Sequence, residues 1–320
     1  MTSYWWSAAA ITLSSFAAVA TATSALITGA APLLARRVER YSPASRARLL
    51  FRLRLLPAAC ATVCAFAVAL PIFLWFEPRD NSDETFARTL IVAAVAGGVL
   101  LVRGAWRAAA GWRATGALTR EWQMRGRRLQ TIDAPIPVFA IEESFPTVAV
   151  VGFARPALFI AERVLRECTM DEVRAMVLHE CAHVTHHDNL KRFLIRACPD
   201  PLRRGGALDR AWARAVEEAA DARAVGEDPG SALELAQALI HVARLAPGAS
   251  TLEVASAFYL GGSIESRVRR LVEPADSLPD PSHPLGCVMA CTMACLVAGL
   301  VVLAAPTIHQ VMETVVRVLP

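Results

Sequence analysis

The sequence predicts a membrane protein: four transmembrane helices, with an α+β domain inserted between spans three and four. Three observations predict it. Of 320 residues, 55% are hydrophobic and only 19% charged, with a mean hydropathy of +0.39, whereas soluble domains carry roughly 25% charged residues. The apolar residues gather in long uncharged runs. One stretch between the runs has ordinary soluble composition. These values exclude a disordered chain and a purely soluble globule.

The minor counts exclude more. Net charge is +4, but all cations except Lys191 are Arg, and they are not gathered in one domain, so no direct nucleic-acid partner is expected. The eight Cys form no paired C-x-x-C, which argues against a disulfide framework and a thiolate zinc site.

A bilayer core of about 30 Å needs roughly 20 apolar residues in a helix. Trp5 to Ala35 holds no charged side chain, and neither does Leu55 to Phe76. A third span is expected over 89–112, where Arg103 and Arg107 snorkel to the interface. Leu285 to Gln310 provides the fourth. A signal peptide is the competing reading of residues 1–35, because Ala20-Thr21-Ala22 looks like a cleavage site. The start Met1-Thr2-Ser3-Tyr4 has no cation, however, and the apolar stretch is too long for a signal sequence, so it reads as a span.

Orientation follows from the connections. Seven Arg (36, 37, 40, 46, 48, 52 and 54) lie between spans one and two against a single acid, Glu39. Seven more (103, 107, 113, 120, 125, 127 and 128) follow or end span three against Glu121. The connection between spans two and three carries four acids and only Arg79 and Arg88. The positive-inside rule therefore places residues 113–284 in the cytoplasm and both termini outside. The domains expected are 1–112 for three spans, 113–284 for the soluble domain, and 285–320 for the last span and a short tail.

Within 113–284, Val138–Ile141, Thr147–Gly152 and Ala157–Ile160 read as short strands. After the Thr169 cap the period becomes helical, and one helix is expected through His179 to about Leu190. Further helices are expected at Leu208–Val225, Ser231–Arg244 and Ser263–Val272.

The first of these helices contains His179-Glu180-Cys181-Ala182-His183. Two His four residues apart share one helical face, so both imidazoles can reach one zinc ion while Glu180 serves as general base. Catalytic zinc wants a third protein ligand and an open position. A Glu on the next acidic helix is the usual third ligand, and Glu217 is a better candidate than Glu218: it shares a face with Asp221 at i, i+4, so one can bind metal while the other orients a ligating His. The expected fold of this domain is zincin-like, of the gluzincin type.

His179-Glu-x-x-His183 followed by Asp188, then Glu217-x-x-x-Asp221, resembles the BlaR/MecR family of antirepressor metallopeptidases. Gly152-Phe-Ala-Arg-Pro156, Asp171-Glu172-Val173 and Ile264-Glu-Ser-Arg267-Val268 are similar to segments of that family too. The resemblance implies a zinc endopeptidase of the bacterial inner membrane that cuts a cytoplasmic protein, a winged-helix repressor, in signal transduction. It implies Asp188 and Asp221 behind the ligands. Sensor members carry a penicillin-binding domain after the last span; here a short tail leads to Pro320, so beta-lactam sensing by this chain is not expected. A homodimer is compatible with the topology.

Other features enter as expectations. An extended substrate is expected to pair with the strand edge at Thr147–Gly152, and His241 and Tyr259 are candidates for oxyanion donor. Cys287, Cys291 and Cys295, like Cys60 and Cys64, read as helix-packing residues. The enzyme alternative is a quality-control or processing protease of the HtpX or prenyl-protease type. The alternative of another class is a non-catalytic membrane scaffold, against which the intact Glu180 argues.

Overall fold

The computed structural model describes residues 2–77, 88–143, 145–202, 206–226, 228–245 and 264–273. It is mostly helical. Three long rods come first: α1 (Thr2–Val38), a rod of α2 (Pro43–Thr62), a π-helical turn (Val63–Ala69) and α3 (Leu70–Phe76), and α4 (Arg88–Arg125). All three are long and apolar enough to cross a membrane. The expected fourth span at 285–310 lies outside the described residues.

The rods keep apolar side chains outward, with Trp6, Trp75, Phe76, Val92 and Val102 each more than two-thirds exposed. Large apolar residues exposed on this scale suit a nonaqueous neighbour, consistent with helices long and apolar enough to cross a membrane. Hydroxyls in α1 satisfy themselves: Thr12, Thr21 and Thr23 donate to the carbonyl four residues earlier, at 2.5–2.7 Å. The π-helical turn falls just before Pro71, which has no N–H for the preceding turn. Helices α1 and α4 come very close at Gly97, where a Cβ would stand 2.1 Å from the Leu13 carbonyl oxygen.

The third rod is longer than its apolar run. Helix α4 continues past Trp112 to Arg125, and the extension lies over the sheet, with Trp122 edge-on to Phe159 at 5.1 Å. The sheet has strands β1 (Arg127–Leu129), β2 (Val138–Ile141), β3 (Val148–Val151) and β4 (Ala157–Ala161) in the order β1-β2-β4-β3. Strand β4 runs parallel to β2 and antiparallel to β3, and all five of its residues are buried. Strand β3 is one edge. The short strand β1 pairs antiparallel with β2 and has no apolar signature in the sequence.

Helices α5 (Glu162–Glu167), α6 (Met170–Thr185), α7 (Asp188–Ala197), α8 (Ala207–Val225), α9 (Pro229–Leu245) and α10 (Ile264–Val272) complete the described chain. The sheet's inner face packs on α6 and α9 through Val138, Leu158, Ile160, Val173, Val177 and Ala238. A second core joins the rods to α8, where Ala31, Val38, Ala47 and Leu50 meet Leu208, Trp212 and Val216. The end of α1 and the start of α2 thus face the polar domain, on the side of the Arg-rich connection.

Charge secures that junction. Ser24 Oγ donates to Asp200 Oδ1 at 2.6 Å, and Arg54 reaches both Asp200 and Asp209. Burial pushes the Asp200 carboxyl up, but bonds from Ser24 and Arg54 and the Arg54 charge outweigh it and hold it below the ordinary range.

Two predictions test this packing. Gly97→Val drives a side chain into the Leu13 backbone and should cost about 1–3 kcal/mol as overpacking, read as a fall in Tm of the detergent-solubilised protein. Gly116→Ala, whose Cβ meets nothing within 4 Å, should leave Tm level or higher. The lowered Asp200 pKa makes its contribution full above about pH 4, the unfolded Asp value, and lost as pH falls through the folded value. Asp200→Asn should therefore flatten the acid limb of the Tm-against-pH curve; a wild-type slope in that variant refutes the tether.

Candidate metal centre and cleft

Helix α6 starts on a capping box, in which Thr169 Oγ1 accepts the Glu172 N–H and Glu172 accepts the Thr169 N–H. Asp171 and Glu172 in its first turn suit the positive end of the dipole. Val173, Met176 and Val177 turn to the sheet and fix the rotation of the helix, which aims His179 and His183 toward α8. Their rings stand edge to face with centroids 4.8 Å apart and Nε2 atoms 3.2 Å apart.

Glu217 of α8 completes the group. Its Oε2 lies 3.5 Å from His179 Nε2 and its Oε1 lies 3.8 Å from His183 Nε2. Donors bound at about 2.0–2.1 Å around a tetrahedral ion sit about 3.3 Å from one another. Two imidazole nitrogens and one carboxylate at this spacing fit zinc. Arg267 also touches Glu217, with Nη1 3.3 Å from Oε2.

The atoms behind the ligands are equally placed. Asp188 Oδ2 is 3.0 Å from His183 Nδ1, which makes Nδ1 the proton donor and leaves Nε2 a lone pair. Lys191 Nζ donates to the other Asp188 oxygen at 3.1 Å. Asp221 Oδ1 approaches His179 Nδ1 to 2.9 Å, although that nitrogen lacks the alignment of a hydrogen bond. Arg267 forks onto Asp221, with Nε 2.9 Å and Nη2 2.6 Å from its two oxygens.

The electrostatics favour a cation at this point. Burial works against charge on His179, yet the carboxylates of Asp221 and Glu217 outweigh it and raise its pKa to about 10. Burial likewise pushes Glu217 and Asp221 up, and His179 with Arg267 overcomes it, drawing Glu217 far down and Asp221 to about 2. Burial raises Asp188 too, and His183 and Lys191 hold it below the usual range.

The sequence expects α6 to run to about Leu190, but it ends at Thr185. His187 takes φ 55° and starts α7 at Asp188. In an unbroken helix Asp188 would point about 140° away from His183, five residues earlier. The left-handed residue turns it back. The same break carries Asn189 and Arg192 to the cleft, two residues that a continuous helix gave no reason to single out.

A cavity of about 250 Å³ opens in front of the ligands, lined by Val148, Ala149 and Val150 of β3, by Leu235 and Leu239 of α9, and by Glu180, Asn189, Arg192 and Arg267. Glu180 lies on the β3 side, where Val150 N–H donates to Oε2 at 2.9 Å. Thr147 O accepts from Ala161 N–H, so Val150 faces outward from the sheet. Its carbonyl accepts from Asn189 Nδ2 at 2.9 Å, and Gly152 O accepts from the same amide at 3.1 Å. The edge expected to be open from Thr147 to Gly152 is therefore occupied at Val150. Gly152 has φ +99°, and a Cβ there would meet Arg155 O at 2.8 Å, so the turn that presents this carbonyl requires glycine.

Other candidates are placed elsewhere. His241 does not line the cavity; its Nδ1 is 3.2 Å from Glu172 Oε2. Tyr259 and Cys287, Cys291 and Cys295 lie outside the described residues, whereas Cys60 and Cys64 are buried. Glu218, with no ligand role, is buried between Arg46 of α2 and Arg270 of α10, the latter at 2.8 Å.

Zinc titration tests the arrangement. Asp188→Asn should weaken zinc about 10–100-fold by releasing His183, measured against a competing chelator, and His183→Ala more. Glu265→Gln, on the exposed face of α10 beside Arg269, should change nothing. No protein-family model, curated protein or solved structure matches this chain, so the reading of the centre stands on the chain's own residues.

Proposed function

We propose that the chain is an integral-membrane zinc endopeptidase that cleaves a cytoplasmic protein, a winged-helix transcriptional repressor, in signal transduction. The observation that carries this reading is the convergence of His179, His183 and Glu217 at zinc-ligand spacing with Glu180 in the same cleft. The proposed architecture is four spans, including 285–310, around a gluzincin-like domain in the BlaR/MecR manner. The inner-membrane topology, with the domain cytoplasmic and the termini outside, draws support from the meeting of the α1 and α2 ends with α8, on the side of the Arg-rich connection.

His179, His183 and Glu217 would hold the metal. When bound, zinc supplies Lewis-acid activation of water and of the scissile carbonyl. Glu180 accepts the proton of the attacking water at its carboxylate and delivers it to the departing amine nitrogen. The Val150 N–H fixes one oxygen of Glu180, which lines the cavity. The walls formed by Val148, Leu235 and Leu239 exclude water and suit an apolar substrate side chain.

A non-catalytic scaffold would retain zinc and have no use for the acid at 180. Glu180→Gln should keep stoichiometric zinc and lose at least about 100-fold in cleavage, the scale of a general base. The measurement compares new N-termini of cytoplasmic proteins in cells expressing wild type or the variant, with metal content determined on purified protein. Wild-type protein that yields no new N-termini defeats the proposal.

A further inference from the structure

Amide hydrolysis in this cleft places negative charge on the carbonyl oxygen, and a donor must meet it. Five side chains lining the cavity carry N–H groups: His179, His183, Asn189, Arg192 and Arg267. The two His point Nε2 at the metal position and Nδ1 at Asp221 and Asp188. Asn189 spends its amide on the carbonyls of Val150 and Gly152. Arg267 has two nitrogens on Asp221 and the third beside Glu217.

Arg192 differs from these four. Its Nη2 lies 3.6 Å from Glu217 Oε1, beyond hydrogen-bond reach, and no other acid pairs with it among the described residues. Glu217 Oε1 is the oxygen that faces His183 Nε2, so the guanidinium stands beside the point where the ligands converge. The side chain is 37% exposed at the mouth of the cleft, free to reorient over an entering peptide. Lys191 cannot replace it, being held on Asp188.

We infer that Arg192 is the oxyanion donor of this site, an assignment that rests on the zinc-peptidase reading. Water oxygen bonds to the scissile carbon and gives its proton to Glu180, while the carbonyl π pair moves onto oxygen. Arg192 donates N–H groups to that oxygen and keeps its protons. The pair then returns to re-form the carbonyl as the C–N bond breaks, and nitrogen leaves with the proton from Glu180. An amide and water become an acid and an amine.

The test uses full-length protein in detergent and two probes with the same apolar side chains. A phosphinic tripeptide presents a tetrahedral anion with a second oxygen for Arg192; a mercaptoacyl dipeptide binds metal through one sulfur. Arg192→Gln should weaken the phosphinic probe about 100-fold, the scale of one oxyanion donor, with zinc and mercaptoacyl affinities unchanged. Arg192→Lys should recover part of the loss, since it restores charge without the planar fork. Equal weakening of both probes, no weakening of either, or weakened zinc binding overturns the assignment and makes Arg192 a support for Glu217. Wild-type protein that binds no zinc overturns the peptidase reading itself.

Discussion

Adjacent carboxylates on α8, Glu217 and Glu218, face different partners, and the arrangement of the polar domain depends on both being paired. Glu217 meets His179, His183 and Arg267, whereas Glu218 is buried between Arg46 and Arg270. A buried carboxylate left alone is strongly destabilising, and removing one partner of such a pair costs about 3–5 kcal/mol. The register of α8 is thereby fixed against three neighbours at once: the His-bearing α6, the membrane-rod helix α2, and α10. Arg267 and Arg270 lie one turn apart on α10 and clamp α8 at Asp221 and Glu218. Glu217, the candidate third ligand, is held from behind, without recourse to loop rigidity.

The membrane rods are part of the cleft's scaffold. Trp112 of α4 meets Phe153 at 5.0 Å, and Phe153 stacks on Phe193 of α7 at 4.6 Å. Phe153 follows the β3 edge, and Phe193 follows Arg192. One aromatic cluster therefore joins a rod to both walls of the cavity, each ring pair contributing about 0.5–1.5 kcal/mol beyond area burial. The Ser24–Asp200–Arg54–Asp209 cluster does the same between α1, α2 and the start of α8.

What the sequence disclosed follows from how local each signal is. The apolar runs of the three rods, the strand at Ala157–Ala161 and the His179/His183 pair are written in consecutive residues, and periodicity suffices to find them. Helix α4 outlasted its apolar run because residues 113–125 cover the sheet with one face, an arrangement that hydropathy averages away. The break at His187 was illegible for a different reason: a non-glycine residue at φ 55° has no reliable signature. Missing it hides Asn189 and Arg192, whereas Asp188 is expected behind the His pair through the family resemblance alone. Glu218 reads only as the poorer ligand candidate because its partners, Arg46 and Arg270, lie 172 and 52 positions away in the chain. Long-range charge pairing sets burial, and no window of sequence contains it.

Charge bookkeeping around the cleft connects these placements to the proposed reaction. Glu180, Asp188, Glu217 and Asp221 bring four negative charges, and Lys191, Arg192 and Arg267 bring three positive ones, for a net −1 with neutral imidazoles. A divalent ion would turn this to +1. Water attack leaves that total unchanged, because the charge lost as Glu180 is protonated reappears on the carbonyl oxygen. The barrier therefore depends on which dipoles and cations face each end of the transfer. At the Glu180 end stand the backbone N–H of Val150 and the charge of Arg267. On the proposed assignment the Arg192 guanidinium of α7 meets the other end, where the charge reappears.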